Sequence, residues 1–268
     1  MLKDITLGQY FPGGTVAHRL DPRTKILLVV LYIVALFCAK GAVGYAVMAL
    51  VLLTCARISK VKFKSLVRGL KPVLFIIIFT AIMNLFFTPG ENYIFELGFL
   101  RVSAEGLRNA FFMVLRIMML IMGTFLMTYT TSPISLTDGL ERLLNWMKKL
   151  RVPVHELAMM MSIALRFIPT LIEETDKIMS AQKARGADFE SGNLIQKAKA
   201  MLPILVPLFV SAFRRADELA TAMECRCYHG GEGRTKLHVL KYESRDYIAL
   251  ALGAAVLALI LTLRKFVS

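Results

Sequence analysis

Residues 72–88 read PVLFIIIFTAIMNLFFT, an apolar run without one charged side chain. A helix of about 17–25 such residues crosses the hydrocarbon core of a bilayer. Lipid offers no hydrogen bonds, so a single segment there must satisfy its own backbone, which a helix does. The same reasoning applies elsewhere in the chain. Residues 26–56 are apolar except at Lys40-Gly41, which divides them into two short spans, 25–39 and 41–56. A fourth span covers 109–131, and a fifth covers 247–263, closed by Arg264 and Lys265. A hydrophobic fraction of 56% and a mean hydropathy of +0.60 exclude an ordinary soluble domain.

Charge orients these spans. Arg57, Lys60, Lys62, Lys64, Arg68 and Lys71 crowd the segment between the second and third, with no acid among them. Short cytoplasmic loops carry such an excess of Lys and Arg. The N-terminus, with His18, Arg19, Arg23 and Lys25, then faces the cytoplasm, and so does the long segment 132–245. The net charge of +14 follows from inner-face loops beside anionic headgroups and calls for no nucleic acid. No cleavable signal is expected, because the first twenty residues hold Gly, Pro, His and Arg rather than an apolar run. The predicted fold is an all-α membrane protein of about five transmembrane helices. Residues 1–131 form an N-terminal bundle of four spans, 132–245 a cytoplasmic domain, and 246–268 the last span.

Within 132–245, residues 135–150 (SLTDGLERLLNWMKKL) read as a short amphipathic helix at the membrane surface. Residues 154–186 repeat apolar side chains at Leu157, Met161, Ala164, Ile168, Leu171 and Ile178, with Thr175 in the gap. Steps of three and four predict a helix with a packing seam. Pro169 is predicted to kink or split it. Residues 203–228 repeat the design at Leu205, Phe209, Ala212, Ala216, Leu219 and Met223, with Arg214, Arg215, Asp217, Glu218 and Glu224 on the opposite face. Ala212, Ala216 and Ala220 place a small residue at every fourth position, where two helix backbones can approach closely. The two long helices are therefore predicted to cross at this row. Each ends on an arginine, in Ala184-Arg185-Gly186 and Cys225-Arg226-Cys227. A cation suits a helix C-terminus, but two matched ends point further, to docking.

Arg116 stands inside the fourth span, where insertion costs about 2.5–3.5 kcal/mol at the centre. About two turns from the outer end, it can snorkel outward. It reads either as an interhelical anchor or as part of a contact face within the bilayer, and Asn84 reads as an interhelical hydrogen bonder. Met159, Met160 and Met161 offer flexible thioethers, suited to apolar filling or to an adaptable partner surface. No catalytic residue or metal site is predicted. The chain lacks GxxxxGK[ST], HExxH and GxSxG. His18, His155, His229 and His238 show no ligand spacing, and no second cytoplasmic pair completes a thiolate site with Cys225 and Cys227.

Three motifs together carry a resemblance. They are His18-Arg19-Leu20-Asp21-Pro22-Arg23-Thr24-Lys25, Ala184-Arg185-Gly186, and Cys225-Arg226-Cys227 leading into Tyr228-His229-Gly230-Gly231 and Gly233-Arg234-Thr235. On them the whole chain resembles the transmembrane T components of energy-coupling factor (ECF) transporters, the EcfT/CbiQ family. The resemblance implies a non-catalytic subunit in a prokaryotic cell membrane. Two ABC-type ATPases would dock on Arg185 and Arg226, each with its neighbours in the motif. Such a subunit would also hold a membrane S component, which binds the vitamin or transition metal; the adaptable thioethers of Met159, Met160 and Met161, with part of the fourth span, are expected to touch it. ATP and Mg would be held by the ATPases, and no cofactor by this chain. One departure stands out: cysteines flank Arg226, and Cys227 tolerates a positive φ less well than glycine. The second helix end is therefore expected to differ in shape from the first. The competing classes are a secondary transporter and a membrane-anchored scaffold. The first needs intramembrane ion pairs, and Arg116 has no partner acid in any span.

Overall fold

The computed structural model describes residues 10–87, 93–97, 100–189, 193–230 and 239–267. The chain is built from helices, with one short hairpin. It divides into two units, one comprising 8–139 with 240–268 and the other containing 140–239.

The first unit opens with a turn of helix, α1 (Val16–Arg19), and then α2 (Pro22–Cys38), α3 (Gly41–Ile58) and α4 (Phe63–Leu70). A 3-10 turn at Lys71–Val73 leads into α5 (Leu74–Phe87). Strands β1 (Tyr93–Leu97) and β2 (Leu100–Ser103) pair antiparallel between α5 and α6 (Ala104–Thr130). The sequence did not announce this hairpin. The unit continues into α7 (Pro133–Leu143), and α10 (Ser244–Val267) completes it. Among the described residues, six stretches are long and apolar enough to cross a membrane: α3, Phe63–Phe86, α6, α10 and the two long helices of the second unit. The predicted first span is α2, with 17 residues.

The core of this unit is formed where α2, α3, α6 and α10 meet. Leu36, Met48, Met119 and Ile260 are fully buried there. Lipid tails are as apolar as leucine, so close backbone approach rather than water exclusion must hold such a bundle. Gly123 of α6 lies against the ring of Tyr32, and any side chain at 123 would strike it. The Tyr32 hydroxyl in turn donates to the Met119 carbonyl at 3.0 Å. A Cβ at Gly253 of α10 would come within 2.6 Å of Leu28.

The N-terminal motif forms a polar latch. Asp21 caps α2 by accepting from the Arg23 backbone at 2.9 Å, and Pro22 takes the first helical position, where its missing donor costs nothing. The Arg23 guanidinium returns to both Asp21 oxygens, at 3.0 and 2.7 Å, and lies over the Tyr242 ring. Asp246, 2% exposed, accepts from the backbone of Asp21 and of Glu243, each at 2.9 Å. Lys25 donates to the His18 and Thr130 carbonyls. The start of α2, the end of α6 and the start of α10 are thereby tied together.

In the second unit a 3-10 turn (Leu144–Leu150) precedes α8 (Val154–Ala184) and α9 (Leu194–Cys225). Pro169 does not split α8; the other backbone bonds of a 31-residue helix outweigh the one it removes. α9 begins nine residues before the predicted start at 203. Asn193 and Gln196 form a reciprocal capping box, and Pro203 and Pro207 lie inside the helix.

Candidate docking ends of a helical hairpin

α8 and α9 run antiparallel, and three hydrogen bonds fix their register. Gln182 reaches the Pro203 carbonyl at 3.4 Å near the turn. Arg215 donates to Glu174 at 2.8 Å farther along. The Tyr228 hydroxyl lies 3.2 Å from the Met159 sulfur at the far end. Arg185, at the C-terminus of α8, therefore sits at one end of the hairpin, and Arg226, beside Tyr228, at the other. From the level of Met159 to Arg185 the helix advances about 40 Å, at roughly 1.5 Å per residue.

The two ends are built alike. Arg185 is the C-cap of α8 (φ −86°, ψ 7°), and Gly186 follows with φ +86°. The Gly186 amide donates to the Lys183 carbonyl and the Ala187 amide to that of Gln182, both at 3.0 Å. Arg226 caps α9 (φ −94°, ψ 18°), and Cys227 follows with φ +55°. Its amide donates to the Glu224 carbonyl at 2.9 Å, and that of Tyr228 to the Met223 carbonyl at 3.0 Å. Both are Schellman closures, which satisfy the last helical carbonyls. The expected difference in shape at Cys227 is thus absent. The hydrogen bonds of the closure hold the cysteine in the left-handed region, where a residue with a Cβ costs roughly 1–2 kcal/mol.

Arg185 and Arg226 are exposed, and neither has an ion-pair partner among the described residues. A Cβ at Gly186 would meet nothing within 4 Å, so that end is open. Ala184, Cys225 and Cys227 are exposed beside them. Gly231, Gly233, Arg234 and Thr235 of the second motif lie outside the described residues. Among the described residues no group of three or more His, Cys, Asp and Glu could hold a metal ion.

The seams keep the phase read in the sequence over part of each helix and depart from it elsewhere. In α8, Ile168, Leu171, Thr175 and Ile178 are half-buried as predicted. Leu157, Met161 and Ala164 are exposed, and Val154 and Ala158 are buried instead. In α9 the inward face is Ile204, Leu208, Ala212, Arg215, Leu219 and Met223. Of the alanine row only Ala212 lies on it, whereas Ala216 and Ala220 are exposed. Arg215, read as outward, makes the central contact through Glu174. The outward face of α9 also carries large apolar side chains: Phe209, Val210 and Phe213 are each more than 60% exposed. Hydrophobicity therefore gave the period, and the phase only in part. The methionines divide likewise. Met159 contacts Tyr228 within the chain, while Met160 and Met161 are exposed. The pairing of Glu174 with Arg215 carried one sequence signal, an acid on one seam and a base on the other.

A chain with several helices of membrane-crossing length, its two longest ending on exposed arginines, has the build of a multi-pass membrane protein. The cobalt transport protein family matches residues 13–237. The energy-coupling factor transporter transmembrane protein EcfT of Clostridium kluyveri is 57% identical over 99% of this chain and 98% of its own length. The proteins of the same description from Bacillus subtilis and Lactococcus lactis are 48% and 45% identical, covering 98% and 100% of this chain and the whole of each relative. The chain belongs to this family of energy-coupling factor transporter transmembrane proteins, and it is a multi-pass membrane protein.

Proposed function

We propose that this chain is the coupling subunit of an ATP-driven importer. The α8–α9 hairpin is its lever, and each end grips one of two ABC-type ATPases. The observation that carries this reading is the pair of like-built Schellman ends, each presenting an exposed, unpaired arginine, at opposite ends of one hairpin. Arginine suits such a contact because its planar fork bonds bidentately and keeps its charge when desolvated. Closure of the ATPases on ATP and Mg, which they rather than this chain would hold, would move the two ends relative to each other. A rigid hairpin would pass that motion to a membrane S component carrying a vitamin or a transition metal ion. In this reading the hairpin lies on the cytoplasmic side of a prokaryotic cell membrane, as does the N-terminus. Its outward apolar faces, with Met160, Met161 and the exposed Ala216 and Ala220, are covered by lipid and by the S component. Methionine suits a surface that must accept partners of several shapes.

Arg185→Ala and Arg226→Ala, made separately in the full complex, test the reading. Loss of one partner of a desolvated charged contact costs roughly 2–5 kcal/mol. Each variant is expected to lower ATPase co-purification or uptake at least tenfold, with the chain's amount in the membrane unchanged. Full uptake with unchanged complex yield in either variant would sink the reading.

A further inference from the structure

A groove of about 410 Å3 opens at one end of the bundle, where α3 gives way to α4. Leu53, Ala56 and Arg57 line it from one face of α3, and Lys60, Val61 and Phe63 from the turn and the first residue of α4. The turn is another Schellman closure. The Lys60 amide donates to the Arg57 carbonyl at 3.1 Å, and the Val61 amide to that of Ala56 at 3.3 Å. Lys60 stands at the left-handed position, φ +54°, which Gly186 fills after Arg185. Glycine would take that backbone without strain. A lysine there instead sets a second cation beside Arg57. Both are exposed, and neither has an ion-pair partner among the described residues.

Level and sign decide what fits this groove. The 18 residues of α3 advance about 27 Å, at roughly 1.5 Å per residue. The hydrocarbon core is about 30 Å thick, so the end of α3 lies at its edge. Arg57 and Lys60 therefore stand among headgroups, while the exposed Leu53, about 6 Å deeper, stands among acyl chains. A phospholipid has the same order, phosphate outside and hydrocarbon within. As to sign, residues 22–90 contain no Asp or Glu, and Lys62, Lys64, Arg68 and Lys71 add to the positive charge. A zwitterionic headgroup brings a cation of its own to a place with no carboxylate to receive it. An anionic headgroup brings none, and basic clusters at a membrane surface attract it.

We infer that this groove binds one anionic phospholipid, with its phosphate between Arg57 and Lys60 and an acyl chain along Leu53. The inference rests on the membrane-spanning build of the chain. It uses neither Arg185 nor Arg226, so it stands or falls apart from the docking of ATPases.

The test reconstitutes the full chain, with the partners that co-purify with it, into nanodiscs of phosphatidylglycerol and phosphatidylcholine in equal parts. A trace of one lipid or the other carries a diazirine on its acyl chain, and labelled peptides are sequenced after illumination. Phosphatidylglycerol should label residues 53–63 at least fivefold more than phosphatidylcholine does. That ratio should fall below two in a variant carrying Arg57→Gln and Lys60→Gln, and stay within twofold of wild type in Lys60→Arg. Lys62→Gln with Lys64→Gln removes the same charge outside the groove and should also leave the ratio within twofold. Equal labelling by the two lipids in the wild type would overturn the proposal, as would a ratio unchanged in the R57Q, K60Q variant. So would an equal fall in the K62Q, K64Q variant, which would leave only diffuse attraction, or no lipid label at 53–63, which would put a partner protein there.

Discussion

The bundle and the hairpin are both made of long apolar helices, yet they are stabilised in opposite ways. In the bundle, Leu36, Met48, Met119 and Ile260 are fully buried, glycines admit close neighbours, and the Asp246 carboxylate together with the Lys25 ammonium ties three helix ends together. In the hairpin, Val154 and Ala158 are the buried side chains of α8, and Ile204 is that of α9, among those described. Its two helices are registered by three polar contacts spaced along their length. A helix pair with so little buried within its own chain gets its environment from outside. The bundle packs largely against itself, whereas the hairpin leaves large apolar faces uncovered within its own chain.

The comparison breaks most readily at the bundle's close contacts. Gly123→Leu drives a side chain into Tyr32, and overpacking of this kind costs up to about 3 kcal/mol. Unfolding of the purified chain in nanodiscs should show that loss. A wild-type midpoint would mean that the α2–α6 approach is looser than described. Asp246→Ala should cost about 2 kcal/mol, because the amides of Asp21 and Glu243 lose their acceptor. Amide exchange at those two positions should quicken along with the lowered stability, and unchanged exchange would show that the latch does not hold them.

Changes in the hairpin should be smaller, and one should have the opposite sign. Cys227→Gly removes a Cβ from a left-handed position and should stabilise the α9 end by about 1 kcal/mol. Slower amide exchange at Tyr228, with docking preserved, would confirm it. A destabilised variant would reveal a contact made by the exposed thiol. Ala216→Leu, at an exposed site, should change the chain's own stability by less than about 0.5 kcal/mol. If uptake nonetheless falls, a partner covers that face. If uptake is also untouched, the alanine row has no role in helix crossing.

Apolar runs identified the spans because a bilayer demands length and continuity, which are properties of a linear string. Helix ends were less visible. The capping box at Asn193 and Gln196 extends α9 back past a proline that reads as a start signal, and the strands before α6 lie in a segment without a marked period. The arginines were legible because each stands at the end of its pattern. The motif at 18–25 was legible as a string, but its job was not, since Asp246, which accepts from it, is more than two hundred residues away.

The sequence alone therefore determined the class, the spans and the two arginine-tipped helices. Hydrophobic length, charge asymmetry and terminal residues are local quantities. Tertiary structure decided which face of α8 and α9 turns inward, that their arginines lie at opposite ends of one hairpin, and that Arg116 of α6 donates to the Tyr45 hydroxyl of α3. Those are facts of phase and register. Where apolar side chains stand on both faces of a helix, hydropathy leaves the phase open, and side chains such as Glu174 and Arg215 set it only when the two helices meet.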